Sequence, residues 1–242
     1  MFSSYPKIRT ELPEAYRLIY VNQYKENREG DSTASGIAQK VEAWLHKKVA
    51  EDVQIDYDKK TLEIGAGTLN QLHHEKTKYY DAIEPFSELY TNSPLLSRVN
   101  NMYDDIDDVE LIQKYDRITS VATFEHITNL PTVVAKSCIL LNEGGTLRTS
   151  IPNEGTFLWK LGWQMTTGLE FKMKHGLDYG VLMKFEHVNT ADEIEKVLKY
   201  FYAKNKVSYF GVGKHFSLYR FFESSEPRVE LAHEYLKSLP KT

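Results

Sequence analysis

Apolar and polar positions along this chain fall into blocks whose period changes. From Glu11 to about Tyr24, the residues Leu12, Tyr16, Leu18, Ile19, Tyr20 and Tyr24 recur at helical spacing, which predicts an amphipathic helix. A polar break from Lys25 to Ser32 follows. Ile37, Val41, Leu45 and Val49 then mark a second helix, with Ser35 as its expected cap. Beyond Lys60 short apolar runs at about 60–64, 79–84, 98–102, 115–121 and 145–151 predict strands. The material between them predicts helices over 68–75, 86–92, 107–113 and 131–141. Pro131 suits the first turn of the last of these, and Gly144-Gly145 suits its end. Strand, crossover and strand in this rhythm give a parallel sheet. Right-handed crossovers then bring the C-terminal strand ends to one edge.

After Pro152 the rhythm breaks. The stretch 153–184 holds Phe157, Trp159, Trp163, Met165 and Met173 among five glycines, and an insertion of that length at the end of a fifth strand is usually functional. His187-Val188-Asn189-Thr190 leads into a helix over 191–202 capped by Asn189 or Thr190. Strands at 206–212 and 216–223 close the chain as an antiparallel hairpin. The expected fold is α/β, a doubly wound, Rossmann-like, mostly parallel sheet with a C-terminal antiparallel hairpin, N-terminal helices and an insertion after the fifth strand.

Composition narrows the function classes. With 242 residues the chain suits one α/β domain, and a net charge of -4 without a basic stripe argues against a nucleic-acid partner. The single cysteine, Cys138, excludes an internal disulfide and a cysteine metal cluster, and its apolar neighbours predict a buried side chain. The N-terminus lacks a charged region followed by an apolar core, and no run is long enough to span a bilayer, so no membrane partner is expected and the cytoplasm is the default compartment.

Candidate chemistry begins at Thr61-Leu62-Glu63-Ile64-Gly65-Ala66-Gly67-Thr68-Leu69. An apolar strand running into two alternating glycines lets backbone approach a ligand closely. Glu63 is placed to bond the amides of this turn. Glu84 closes the second strand at the spacing that brings a carboxylate onto a ribose. A dinucleotide site would need a glycine three residues after the second, where this chain has Asn70. That points away from NAD or FAD and towards a nucleoside without phosphates to cradle.

These residues resemble the class I S-adenosylmethionine-dependent methyltransferases over roughly Lys60 to Glu223. The resemblance implies S-adenosylmethionine as cofactor, with Glu63, Gly65 and Gly67 at its methionine part and Glu84 on both ribose hydroxyls. Asp104, with Asp105 as the near alternative, is implied at the adenine amine. The fourth strand and its exit, ending in Val121-Ala122-Thr123-Phe124-Glu125-His126-Ile127, look like the stretch that passes under the cofactor, with Ala122, Thr123 and His126 implied to touch it. Leu140 to Leu147 looks like the family's helix, glycine turn and fifth strand. The family commonly has a third glycine where this chain has Leu69. A sulfonium is cationic, so a cleft lined by acids suits it. On this reading 1–242 is one domain, made of an N-terminal helical cap (1–55), a cofactor-binding core (60–152), an acceptor or lid insertion (153–186) and the end of the sheet (187–223).

A small-molecule methyl acceptor is the implied partner, a sugar or another biosynthetic intermediate, and no residue identifies it. An oxygen acceptor needs help losing its proton. His187, oriented by Glu186 or another carboxylate, is the expected base; His126 and His175, the latter near Asp178, are further candidates. Asp178, Glu186 and His187 show no recognisable metal-ligand spacing, so no metal is expected. Phe157, Trp159, Trp163, Met165 and Tyr179 form either an acceptor pocket or a small core under a lid. Tyr16, Tyr20 and Tyr24 are expected to pack on the sheet. Two other readings share this pattern. One is a cofactor-binding scaffold that acts only with a partner. The other is a nicotinamide-dependent oxidoreductase, disfavoured by the glycine spacing and by the lack of a Tyr-x-x-x-Lys pair after the fourth strand.

Overall fold

The structure, a computed structural model, describes residues 2–26, 36–54 and 57–240. Among them seven strands form one sheet: β1 (Lys60–Ile64), β2 (Tyr79–Ile83), β3 (Asn101–Tyr103), β4 (Tyr115–Val121), β5 (Leu141–Pro152), β6 (Tyr202–Val212) and β7 (Phe216–Pro227), in the order β3-β2-β1-β4-β5-β7-β6. The helices are α1 (Glu14–Glu26), α2 (Gly36–Val49), α3 (Leu130–Leu140), α4 (Phe157–Trp163), α5 (Leu169–His175), α6 (Tyr179–Glu186), α7 (Ala191–Phe201) and α8 (Val229–Ser238). Strands β1 to β5 pair in parallel, and β7 runs antiparallel to both β5 and β6. The expected hairpin is present, with its second strand inserted beside β5.

The two faces of this sheet differ chemically. On one, Leu62, Ile64, Ile118, Leu147 and Ile151 meet Val134, Ala135 and Cys138 of α3 and Ile194, Val197, Leu198 and Phe201 of α7 in a continuous apolar core. The α7 residues recur at i, i+3, i+4 and i+7, the spacing of one helix face, and each fully buried side chain of this size contributes about 1.5–3 kcal/mol. Thr190 caps α7 in a reciprocal box with Glu193. The other face carries Thr61, Arg117, Arg148 and Ser150, all buried. Their polar ends are met by the last turn of α2. Arg117 Nη2 donates to the Val49 carbonyl (3.0 Å), Arg148 Nε to the same carbonyl (2.8 Å) and Arg148 Nη2 to that of Lys48 (2.9 Å). The helix runs on into a 3-10 turn at Ala50–Val53, and guanidinium groups rooted in the sheet donate to its terminal carbonyls there. Glu75 accepts from Arg117 Nη1 at 2.6 Å and completes the network.

Several expected elements differ. The segments expected as helices over 68–75, 86–92 and 107–113 contain only 3-10 turns, Asn70–His73, Ser87–Leu89 and Ile106–Asp108, and another lies at Pro94–Arg98. Helix nucleation fixes several residues for one hydrogen bond, so segments this short and poor in apolar positions close single tight turns instead. The third strand starts at Asn101 rather than 98, because Arg98 ends the Pro94 turn. Tyr16 and Tyr20 pack with Phe171, Leu182 and Phe185 of the insertion rather than on the sheet. The side chain of Tyr24 and the expected cap Ser35 lie outside what is described. Among the described residues, no helix is long and apolar enough to cross a membrane.

Candidate functional site

The parallel pairing of β1 with β2 and β4 places the glycine bend between the ends of those two strands. Gly65 N and Ala66 N both donate to the Ile83 carbonyl, at 2.9 and 3.1 Å. Gly67 N donates to Glu84 Oε2 at 2.8 Å, and Phe86 N to Glu84 Oε1 at 3.1 Å. The carboxylate at the end of β2 is therefore seated against the bend. Each of its oxygens accepts one backbone bond and keeps a lone pair for a further donor.

Gly65, Gly67 and Leu69 all have positive φ, at +73°, +51° and +68°. For leucine the left-handed conformation costs about 1–2 kcal/mol. Leu69 offsets this by being fully buried among Leu72, Tyr80 and Ala82. The position where the resembled family has glycine thus keeps a glycine-like backbone here. The two glycines serve different ends. A Cβ on Gly65 would lie 2.3–2.9 Å from atoms of the Thr123 side chain, whereas one on Gly67 would meet nothing within 4 Å. Gly65 lets the loop after β4 close over the bend, and Gly67 leaves an open face beside Glu84.

Glu63 does not bond the turn's amides; its Oε2 accepts from the Tyr80 hydroxyl at 2.8 Å. Those of Gly65, Ala66 and Gly67 go to Ile83 and Glu84 instead. Glu63 is buried, and burial pushes its carboxyl up to about 8. Asp104 and Asp105 are exposed at the end of β3. Asp105 is the cap of the 3-10 turn that follows, accepting from Asp107 N at 2.9 Å. Asp104 stands near Tyr90, whose hydroxyl is raised by burial and then by the charges of Asp104 and Glu84. Asp104 and Glu84 follow the paired residues Tyr103 and Ile83 of neighbouring parallel strands, so both lie at the same edge of the sheet. Ala122 has a φ of +49° and its N donates to the Ser150 carbonyl at 2.8 Å. Thr123 Oγ1 is within reach of the carbonyls of Val121 (3.1 Å) and Gly65 (3.3 Å).

The loop after β4 is clamped from two sides. Val188 N and Asn189 N both donate to the Glu125 carbonyl (2.9 and 3.1 Å), and Asn189 Nδ2 donates to the carbonyls of Phe124 (2.8 Å) and Ile127 (2.7 Å). From the N-terminal arm, Tyr5 donates to Asn189 Oδ1 (3.0 Å) and Arg9 to the His126 carbonyl (2.9 Å). This clamp brings His126 and His187 together, with ring centroids 4.9 Å apart and edge to face. His187 Nδ1 lies 3.0 Å from Glu154 Oε2, and His126 Nδ1 lies 3.1 Å from the Glu186 carbonyl. The expected orienting carboxylate is thus Glu154 rather than Glu186. Burial alone would lower the pKa of His187; the Glu154 bond and the charges of Glu125, Glu154 and Glu186 outweigh it and raise it. Burial, with the neighbouring His187, lowers His126 to about 4. Burial raises Glu125 to about 7.

Beside this cluster a cavity of about 480 Å³ opens between α4 and α6, lined by Phe157, Trp159, Trp163, Met183, Glu154 and His187. Its size is that of a small-ligand site. Trp159 lies nearly parallel to the His187 ring, at 6.4 Å, and its Nε1 donates to Glu154 Oε2. Tyr179 packs instead on Trp163 and Phe171, in the small core that joins α1 to the insertion. The side chain of Met165 lies outside what is described. Asp178 caps α6 by accepting from Gly180 N (2.8 Å), and His175 ends α5 against Phe171. Sequence reasoning missed Glu154 and Glu125. Glu125 sits in Phe124-Glu125-His126, yet nothing in a sequence shows that its side chain points inward.

No family model matches the sequence, and no curated protein matches it. Solved structures do match in fold. A SAM-dependent methyltransferase from Thermotoga maritima is 16% identical, covers 86% of this chain and 97% of its own, and superposes with a TM-score of 0.54. The plantazolicin methyltransferase BpumL, in complex with a pentazolic desmethylPZN analog and SAH, is 14% identical over 88% of this chain and 93% of its own, with a TM-score of 0.60. DhpI, in a complex with SAM and HEP, is 10% identical over 89% and 100%, at 0.54. Together with the strand order and the inserted antiparallel β7, these likenesses show that the chain has the fold of the class I S-adenosylmethionine-dependent methyltransferases.

Proposed function

We propose that this chain is a methyltransferase that takes its methyl group from S-adenosylmethionine and passes it to a small molecule. The observation that carries the reading is the seating of Glu84 against the Gly67 amide at 2.8 Å, beside a backbone face left open by the absence of a Cβ. An acid with spare lone pairs next to bare backbone fits a ribose diol. Acids at the mouth also suit a cationic sulfonium. Glu84 is the proposed ribose ligand, Asp104 the proposed adenine ligand, and Gly67, Ala122, Thr123 and His126 the proposed wall. When bound, the cofactor supplies a methyl whose bond to sulfur breaks as the acceptor attacks, its electron pair staying on sulfur.

The chain's own residues then serve alignment and proton removal. The cavity between α4 and α6 is the proposed acceptor site. Its aromatic walls fit a ring-bearing molecule, a sugar or a biosynthetic intermediate. His187 stands at its margin with Nδ1–H held by Glu154, leaving Nε2 to take a proton from an acceptor hydroxyl. The neighbouring carboxylates stabilise the imidazolium that results.

Calorimetric titration with S-adenosylhomocysteine tests the cofactor half. The wild-type protein should bind it, and Glu84→Gln should weaken binding at least about tenfold, the value of a charge-assisted bond of about 1.5 kcal/mol, measured well below the melting temperature, which the variant also lowers because its amide nitrogen cannot accept one of the two backbone N–H groups. Equal affinity in the two proteins would remove Glu84 from the ribose. Enhanced fluorescence of added NADH would point to the oxidoreductase instead.

A further inference from the structure

The cluster that joins the loop after β4 to the end of α6 has the donor set of a metal site. One ligand atom from each of Glu125, His126 and His187 lies within 4.8 Å of the others. Three features of these side chains bear on what they hold.

The first is tautomer. His126 Nδ1 faces a backbone carbonyl, that of Glu186, which accepts only, so this nitrogen carries the hydrogen and Nε2 carries a lone pair. His187 Nδ1 faces a carboxylate oxygen of Glu154, with the same result. Histidines that ligate metals through Nε2 are held in this way, the other nitrogen donating to a carbonyl or a carboxylate. The second is the facing of acceptors. His126 Nε2 lies 3.8 Å from Glu125 Oε1, too far for a hydrogen bond. A lone pair and a carboxylate oxygen thus confront each other. The third is an unmet need: Glu125 is 2% exposed, and its Oε2 has no hydrogen-bond partner among the described residues. A buried carboxylate oxygen left without a hydrogen-bond partner is costly. A cation among these atoms removes the cost.

We propose that Glu125, His126 and His187 bind one divalent first-row transition ion, with Glu154 and the Glu186 carbonyl as the outer partners that fix the two rings. Two imidazoles and one carboxylate match the borderline character of zinc and its neighbours rather than calcium or magnesium. Bonds of about 2.0–2.2 Å in a tetrahedral site put ligand atoms about 3.4 Å apart, so the group contracts modestly on loading. Three protein ligands leave one position open, and an ion on His187 borders the cavity that His187 lines. In the metal-free protein His187 Nε2 is free to take a proton, as proposed above. In the loaded protein that lone pair is a ligand, and an acceptor hydroxyl bound at the open position is acidified by the ion instead. The site does not depend on the methyltransferase reading, since its ligands are defined without cofactor or acceptor.

The test uses the whole chain, stripped with chelator and loaded with Co2+ or Zn2+ in the absence of cofactor. One ion per chain is expected by elemental analysis, and the Co2+ form should show the visible absorption of a four-coordinate site. Glu125→Gln and His187→Ala should each weaken binding at least about tenfold, and Glu154→Gln should weaken it by a smaller factor. If a variant is unfolded by circular dichroism, the unmutated Co2+ protein still decides the matter, since paramagnetic shifts must appear on the ring protons of His126 and His187. Absence of stoichiometric binding overturns the proposal. So does binding that leaves those two rings unshifted, which would place the ion on other histidines such as His46 and His74. Retained S-adenosylhomocysteine affinity alongside absent metal binding would sink this inference alone; the converse would sink only the cofactor reading.

Discussion

Replacing Gly65 by alanine separates the steric role of this glycine from its conformational role. Its φ of +73° charges an alanine about 1–2 kcal/mol for the left-handed backbone alone. The new Cβ would also fall 2.3 Å from Thr123 Cγ2, 2.5 Å from Oγ1 and 2.9 Å from Cβ. A rotation about χ1 cannot relieve the last of these, because Cβ does not move with it. The loop must therefore shift, and forced overpacking of this kind costs about 1–3 kcal/mol. The expected total loss for Gly65→Ala is about 2–5 kcal/mol. Thr123→Gly deletes all three contacts and leaves only the backbone cost. The double variant should then be more stable than the sum of the singles predicts by about 1–3 kcal/mol. Gly67→Ala is the control, since its Cβ would meet nothing within 4 Å. It should lose only about 1–2 kcal/mol and add independently to Thr123→Gly. Urea denaturation followed by tryptophan fluorescence measures the wild type, the three single variants and the two double variants, with constant slope as the check on two-state behaviour. Additivity of Gly65→Ala with Thr123→Gly to within about 0.5 kcal/mol would refute the reasoning.

Two further outcomes follow from the buried charges. Burial raises the Glu63 carboxyl to about 8, so between its ordinary value and about 8 the folded state holds a proton that the unfolded state has released. Stability should therefore fall as pH rises through that window, by about 2 kcal/mol from pH 6 to pH 8, and Glu63→Gln should flatten the curve in chemical denaturation; a wild-type curve already flat would contradict the assignment. Arg117→Met should cost about 3–5 kcal/mol by leaving Glu75 uncompensated in the interior, and adding Glu75→Gln should restore part of it, both read from the denaturant midpoint.

Much of the sheet was legible in the sequence because its strands are short runs in which the apolar residues that face α3 and α7 alternate with polar ones, as in Leu62-Glu63-Ile64 and Leu147-Arg148-Thr149-Ser150-Ile151. The glycine bend and Glu84 were legible for a related reason: both lie at strand ends whose spacing the crossovers fix. The crossovers themselves were overread. Asn70 to His73 and Ser87 to Leu89 have helix-compatible residues but too few apolar positions to hold a helix against the sheet. Helix α8 lay beyond the last expected element, although Val229, Ala232 and Leu236 carry its apolar spacing. Nor could the meeting of His126 with His187 be read from a chain in which they are some sixty residues apart. It depends on Asn189 bonding the carbonyls of Phe124 and Ile127, a tertiary clamp with no sequence signature. Asp105 shows the opposite difficulty: a residue type that suits an adenine ligand also suits a turn cap, and here it is a cap.

The arginines that reach from the sheet to the end of α2 bear on how the molecule comes apart. Detaching that helix would strip the Lys48 and Val49 carbonyls from Arg117 and Arg148, leaving guanidinium groups planted in β4 and β5 short of acceptors. Fraying at this point is therefore coupled to disruption of the central strands. Helix α2 should therefore melt with the domain as one cooperative body, and amide exchange in its last turn should be as slow as in β4.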